Sequence, residues 1–342
     1  MSRFAVVDLS NLFQRARHGA AADPDTKAGL AILIIFRSLR KLYRELRVDH
    51  MVFAVDRGSW RQAIYPAYKA RRKLDRMAAT PRQQQEEEQF FAVFDALLDY
   101  LTLRTRCTVL DAPEIEADDF IARWIARRPH DEHVIVSGDS DFIQLLSNNV
   151  SIYDAMYQRM MTVDGVLDEQ GRQLAFLVSP KNGKIKVGRV DTEFVPDAEW
   201  WRKALFIKLV RGDVSDSVFS AYPGVRYEGK KVGIRAAWDD RAEQGYDWNN
   251  LMFQTWDKLL ESGEVERVRV IDQFHINEQI IDLTKQPPHI VERMDGVIDA
   301  ALTAPPVRDV GVAFLRFCTT HDLPALVKEA AEHVSYLNAP CP

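Results

Sequence analysis

With 342 residues, of which 46% are hydrophobic and 28% charged, the chain has the balance of a soluble globular protein large enough for one extended domain or two. Cys107, Cys318 and Cys341 are too far apart for zinc-ligand spacing or a disulfide framework, no apolar run is long enough to cross a bilayer, and no cleavage site follows Met1; a cytoplasmic protein without membrane contact is expected. The net charge of −5 excludes a uniformly basic nucleic-acid binder, but it averages over an uneven distribution.

The first apolar run, Arg3-Phe4-Ala5-Val6-Val7, reads as a strand ending at Asp8. A helix is expected over residues 27–47, with Thr26 as its cap, followed by a strand over 51–55 that ends at Asp56 and completes a βαβ unit. Residues 57–76 then carry Arg57, Arg61, Lys69, Arg71, Arg72, Lys73 and Arg76 against the single Asp75. Thr80-Pro81-Arg82-Gln83 supplies a cap, a first-turn proline and a capping-box glutamine for a helix reaching about Leu103. Strands are expected over 106–110 and 133–136, separated by a helix that opens at Glu116-Ala117-Asp118-Asp119; the second runs through Ser137-Gly138 into Asp139 and Asp141. Two more strands follow at 150–153 and 160–163, and residues 179–189, with Pro180, Asn182 and Gly183, read as an exposed basic loop or hairpin. From Pro196 onward helical patterns dominate, so the chain divides near residue 200 into a mixed α/β part (1–200) and a helical part (201–342).

An isolated aspartate is the ordinary residue of turns and helix caps. Here, however, Glu116, Asp118 and Asp119 cluster, as do Asp139 and Asp141, and Asp213 and Asp216 in Gly212-Asp213-Val214-Ser215-Asp216. Close carboxylates raise one another's pKa unless a cation intervenes. In an open α/β sheet, ligands sit beyond the carboxyl ends of the strands, which would pool these acids with Asp8 and Asp56 at one edge. Ligands that are all oxygen select magnesium or manganese, and two such ions suit phosphodiester hydrolysis. The polyanion would need cations nearby, and the segment Tyr65 to Lys73 offers Tyr68 for stacking with Arg71 and Lys73 for phosphates, the alternative being a solvated basic helix. Gly212 to Asp216, then Gly224, then Gly229-Lys230-Lys231, read as a grip on duplex phosphates.

In this order the motifs Val-Val-Asp8 with Asn11, Phe-Ala-Val-Asp56, Tyr68-Lys69 with Arg72, Glu116-Ala-Asp118-Asp119, Ser-Gly-Asp139-Ser-Asp141-Phe and Gly-Asp213-Val-Ser-Asp216 resemble the 5′-nuclease superfamily. That superfamily includes flap endonucleases and the exonuclease domain of bacterial DNA polymerase I, and the chain looks closest to its phage ribonuclease H branch. The resemblance implies a PIN-like, mostly parallel sheet flanked by helices, a helical arch near residues 57–95, a helix-three-turn-helix motif and a helical C-terminal region. It also implies one metal among Asp8, Asp56, Glu116, Asp118 and Asp139, and another toward Asp119, Asp141, Asp213 and Asp216. Lys69 and Arg72 match arch residues that reach the scissile phosphate in relatives. Tyr227 stands where the family commonly has a glycine, which bears on duplex grip and on a monovalent cation bound there.

The activity so implied is magnesium-dependent 5′-3′ exonuclease, flap endonuclease and ribonuclease H action on RNA primers and DNA 5′ flaps. Its substrates would be branched or nicked DNA and RNA–DNA hybrid, acted on by a monomer. The rivals are a noncatalytic scaffold for branched DNA and a phosphatase with Asp8 as nucleophile, the latter disfavoured because Leu9-Ser10 follows where a second acid would be expected. The helices around Phe314-Leu315-Arg316-Phe317 and Leu326-Val327 would serve either as a docking surface for a single-strand-binding protein or as core.

Overall fold

The computed structural model describes residues 1–19, 24–221, 226–227, 230–231, 234, 237–239, 252–259 and 262–342. Strand β1 (Arg3–Asp8) is buried from Phe4 onward because neighbours cover both its faces, which is why its sequence is a continuous apolar run rather than an alternation. It pairs in parallel with β2 (His50–Ala54) on one side and β4 (Glu132–Val136) on the other; β3 (Thr108–Leu110) adds to β2, and β5 (Val150–Asp154) to β4. Four antiparallel strands extend this parallel half: β6 (Arg159–Thr162), β7 (Gly165–Leu167), β8 (Gln173–Val178) and β9 (Ile185–Val190). The full order is β3-β2-β1-β4-β5-β6-β7-β8-β9. Asp8 lies opposite Ala54, and Val7 opposite Val136, so the carboxyl ends of β1, β2 and β4 open on one edge.

Helices cover both faces. On one lie α1 (Leu9–Gly19), α2 (Pro24–Leu46) and α5 (Pro81–Arg104), with Phe13, Phe36 and Leu97 packed against the sheet. The capping box at Thr80 and Gln83 forms as the sequence predicts. On the other face lies α6 (Ala117–Arg127), whose Phe120, Ile121 and Trp124 meet Phe4 and Ile135. Two short helices, α3 (Arg61–Ile64) and α4 (Ala70–Met77), follow β2, and α7 (Trp200–Arg211) packs with α8 (Val270–Ile281) into a third cluster through Phe206, Ile207 and Phe274.

The C-terminal helices complete the core. α9 (Pro288–Thr303) adds Ile290, Met294 and Ile298 to the α6 face. α10 (Val310–Thr320), α11 (Pro324–Val327) and α12 (Ala330–Leu337) add Phe314, Leu326 and Tyr336 to the α2 face. These apolar side chains are the inward face of amphipathic helices and belong to the core, whereas Leu315 and Val327 of the same segments are exposed. The expectation of helix throughout the last third needs one correction: β10 (Thr255–Leu259) and β11 (Val265–Arg269) form an antiparallel hairpin. Gly263, at φ +84°, supplies the turn. Strands β7 and β8 and helix α1 also go beyond the sequence expectation.

His50 ties the tail to the sheet. Its Nδ1–H donates to the Ala339 carbonyl at 3.1 Å, leaving Nε2 to accept from Thr108 Oγ1 at 2.9 Å. Burial, with Arg128 nearby, pushes its pKa down to about 4, although the Ala339 carbonyl opposes the shift. The folded protein therefore holds this imidazole neutral while the unfolded chain protonates it near 6.5, so stability is lost as pH falls below 6.5 and levels off near 4. The linkage amounts to about 2 kcal/mol between pH 7 and pH 5. Urea unfolding at both pH values should show that decrement shrink in His50→Gln; an equal decrement would show that other groups carry the acid sensitivity.

Candidate active site

Asp8 ends β1 and is almost completely buried; its Oδ1 accepts from the Asn11 N–H at 2.9 Å, in the first turn of α1. Desolvation, followed by repulsion from Asp56 and Asp139, pushes its carboxyl up to about 8. Asp56 accepts from the Ala117 N–H at 2.8 Å, which joins the end of β2 to the start of α6, and desolvation raises its pKa as well. Asp118 is raised well above the ordinary range by desolvation and by Asp8, Asp139, Asp56 and Asp141. Asp139 accepts from the Asp141 N–H at 3.0 Å and is pushed up to about 6 by burial and by Asp141. Acids from three strand ends and one helix start thus share a single electrostatic neighbourhood. Among the described residues, no three of them converge closely enough to enclose an ion in this arrangement.

Lysines stand between them instead. Lys69 Nζ contacts Glu116, and although burial opposes ionisation of Glu116, Lys69 and Arg61 hold its pKa below the usual value. Lys208, on α7, contacts Asp141 and lies 2.9 Å from Asp213. Burial of Asp213 is outweighed by Lys208 and Ser215, which hold it down to about 2. Lys208 was not among the sequence candidates, because a lysine inside the apolar run Leu205 to Val210 reads as a surface side chain snorkelling from its helix.

The basic segment is less free than its composition suggests. Arg57 pairs with Asp95 and Asp111, both at 3.1 Å. Arg61, only 2% exposed, makes a fork on Asp119 with two bonds of 2.8 Å, reaches Glu116 at 2.7 Å and donates to the Ile280 carbonyl at 2.6 Å. Asp119 also accepts from Trp60 Nε1 at 2.9 Å, so in this arrangement its oxygens are taken up inside the core and it stands apart from the other candidate ligands. Tyr68 is corrected too: it is buried, with its hydroxyl toward Glu116 at 3.3 Å and Asp216 at 3.4 Å, and has no free face for a base.

Lys69 and Arg72 do not share a helix face, since Lys69 precedes α4 with φ +55°. They meet at the same acids by another route. The Lys69 N–H donates to the Asp216 carbonyl at 2.9 Å, and Arg72 lies 2.7 Å from the Asp216 carboxylate. The base of the basic segment is therefore docked on the turn that carries Asp213 and Asp216. Arg71 is exposed. Gly224 and Gly229 lie outside the described residues; Lys230 and Lys231 form a strand pair with Arg226 and Tyr227, and their side chains, like that of Lys73, also lie outside.

A sheet whose parallel half pools acids at its carboxyl edge, a basic segment after β2 and a carboxylate turn after α7 together form an acid-lined edge flanked by cations, an arrangement suited to phosphodiester chemistry. Residues 3–171 match the family described as 5′-3′ exonuclease, N-terminal resolvase-like domain. The chain is 30% identical over 239 residues to a thermostable DNA polymerase I of Thermus filiformis, a stretch covering 68% of this chain and 23% of the polymerase. It is 29% identical over 173 residues to the flap endonuclease Xni of Shewanella loihica, covering 48% of this chain and 60% of that one. A structure of the bacteriophage T5 flap endonuclease superposes with a TM-score of 0.52 at 16% identity, covering 97% of this chain and 99% of its own, which is a likeness of fold. Residues 3–171, the N-terminal half of the chain, are thus a domain of the 5′-nuclease superfamily. The chain spans about a quarter of the polymerase and about 60% of the flap endonuclease it matches.

Proposed function

We propose that this chain is a divalent-metal-dependent 5′-3′ nuclease that hydrolyses phosphodiesters in RNA primers and DNA 5′ flaps of replication intermediates. The observation that carries it is the grouping of Asp8, Asp56, Asp118 and Asp139 at one sheet edge, where burial first and repulsion from neighbouring acids second hold their carboxyls above the ordinary range until positive charge is supplied. The donor set is oxygen only, which fits magnesium or manganese and not zinc. Asp8, Asp56, Glu116, Asp118 and Asp139 would hold one ion, and Asp141, Asp213 and Asp216 a second. Bound there, the ions supply Lewis-acid charge and activate water for attack on phosphorus. Relatives named as flap endonucleases, and a T5 neighbour crystallised with DNA and metal ions, support the substrate class. Nicked or branched DNA and RNA–DNA hybrid are the proposed ligands of a monomeric, cytoplasmic enzyme, with a single-strand-binding protein as partner and a monovalent cation near Gly224 and Gly229. Among the described residues no helix is long and apolar enough to cross a membrane.

Incubation with magnesium and a 5′-labelled flap, a nicked duplex and an RNA–DNA hybrid tests this directly. Short labelled products that vanish with a chelator are expected; intact substrates in all three reactions would overturn the proposal.

Lys69 and Arg72 supply positive charge beside the acids, where charge develops on a transferring phosphoryl group. Lys69→Ala and Arg72→Ala should each lower single-turnover cleavage by roughly tenfold to a thousandfold, or about 1.4 to 4 kcal/mol, with a smaller effect on affinity. Arg71→Ala should change the rate little. If the first two variants weaken binding alone, with the rate at saturating enzyme unchanged, the pair only docks substrate.

A further inference from the structure

Away from the acid cluster, the β8–β9 hairpin carries a concentration of unbalanced positive charge. From Gln173 to Val190 there is no acid, and Lys181, Lys184, Lys186 and Arg189 are all exposed without a carboxylate partner among the described residues. On the helix behind them, Arg202 and Lys203 are paired with Glu199 and Asp197. Like charges on one short hairpin repel, and nothing in the fold requires them there.

The hairpin is held firmly. The Gly183 N–H donates to the Ser179 carbonyl and the Ser179 N–H to the Lys184 carbonyl, both at 2.9 Å. Gly183, at φ +70°, lies against the Ala204 carbonyl of α7, where a side chain would collide. Arg211 Nε donates to the Pro180 carbonyl at 3.3 Å. The tip is thus fixed to the helix whose Lys208 holds Asp141. Beneath it runs a trough of about 520 Å³ lined by Lys184, Arg15, Asp154, Arg159 and Asp139. Asp154 is neutralised by Arg159 at 3.1 Å, so Arg15 and Lys184 leave the walls positive up to the acid site itself.

Topology sets where this surface lies. The basic segment leaves from the end of β2, and the trough opens at the end of β5 with β1 and β4 between them, a separation of three strand spacings or roughly 14 Å. A strand whose reacting phosphate lies among Asp8, Asp118 and Asp139 meets cations on one side at Lys69 and Arg72, and on the other at this hairpin.

We propose that the β8–β9 hairpin and the trough beneath it bind the sugar–phosphate backbone of the substrate strand, on the side of the scissile phosphate away from the basic segment. This rests on the nuclease function proposed above.

The test is the salt dependence of flap-duplex binding by the full chain, measured by fluorescence anisotropy in calcium. Each lost phosphate contact lowers the slope of log affinity against log salt by roughly 0.7 to 0.9, so Lys181→Ala/Lys184→Ala/Lys186→Ala should flatten it by roughly 2 to 3 and weaken binding at least about tenfold. The corresponding triple arginine variant should bind as wild type. Neutral methylphosphonates on the trough side of the scissile phosphate should erase the difference between wild type and the alanine variant, and the same groups on the other side should not. An unchanged slope in a variant with a wild-type melting temperature overturns the proposal, as does weaker binding with no change of slope. If the triple variant melts early, Lys186→Gln carries the same test, with roughly one contact's change in slope expected. A wild-type protein that binds flap DNA but does not cleave it in magnesium would sink the nuclease reading and leave this contact standing. A wild type that binds no flap DNA would sink both.

Discussion

Asp118→Asn and Asp139→Asn are each expected to reduce single-turnover cleavage of a flap substrate by at least about a thousandfold, or about 4 kcal/mol, while leaving affinity within a few-fold of wild type. Both side chains belong to the acid group, and among the described residues neither forms an ion pair with Lys69 or Arg72. The apo protein should not be destabilised. Asp118 is raised by desolvation and by Asp8, Asp139, Asp56 and Asp141, so an amide of the same shape relieves repulsion that the native state otherwise sustains. Dead enzyme, retained affinity and a melting temperature at or above wild type together would identify residues kept for chemistry at the expense of stability. Near-normal turnover in either variant would remove that residue from the proposed ligand set, and near-normal turnover in both would sink the two-ion assignment.

What the sequence made legible was the placement of acids along the chain. Asp8, Asp56 and Asp139 each follow an apolar run, and parallel pairing of β1 with β2 and β4 brings the ends of those runs to one edge. Partners were not legible. Asp118 and Asp119 are adjacent, but on a helix successive side chains point about 100° apart, so one faces the sheet edge and the other turns into the core toward Arg61. Composition counted Arg57 and Arg61 among the cations available to phosphate, whereas Asp95, Asp111, Glu116 and Asp119, distant in sequence, had already claimed them. The place of Lys69 just outside α4 was not legible either, because a positive φ at a lysine leaves no signature in sequence. The β10–β11 hairpin was missed for a related reason: Thr255-Trp256-Asp257-Lys258-Leu259 is short and polar, and its order comes from pairing with Val265–Arg269.

Arg61→Ala should lower unfolding stability by about 3 to 5 kcal/mol, the cost of leaving a buried carboxylate without its partner. The guanidinium is held on every side. Its fork on Asp119 is matched by a bond to Glu116 and another to the Ile280 carbonyl, and it stacks 4.5 Å from the centre of the Trp60 ring. Removing it leaves Asp119, which is fully buried, with Trp60 Nε1 at 2.9 Å and Gln286 at 3.3 Å as its side-chain donors among the described residues. Arg61→Lys should recover little, because a single ammonium cannot reproduce the fork. Arg61→Met combined with Asp119→Asn should recover part of the loss: the uncompensated charge is gone, and the asparagine oxygen still accepts from Trp60. Urea unfolding of the three variants measures this. The activity readout separates two roles for the same arginine, since Glu116 keeps Lys69 and Ser59 as partners in every case. If the double variant regains stability but cleaves far more slowly than wild type, Arg61 also positions Glu116 for metal. If the single variant loses less than about 1 kcal/mol, the buried pair does not anchor the base of the basic segment to α6 and α8, and Asp119 returns to the pool of candidate ligands.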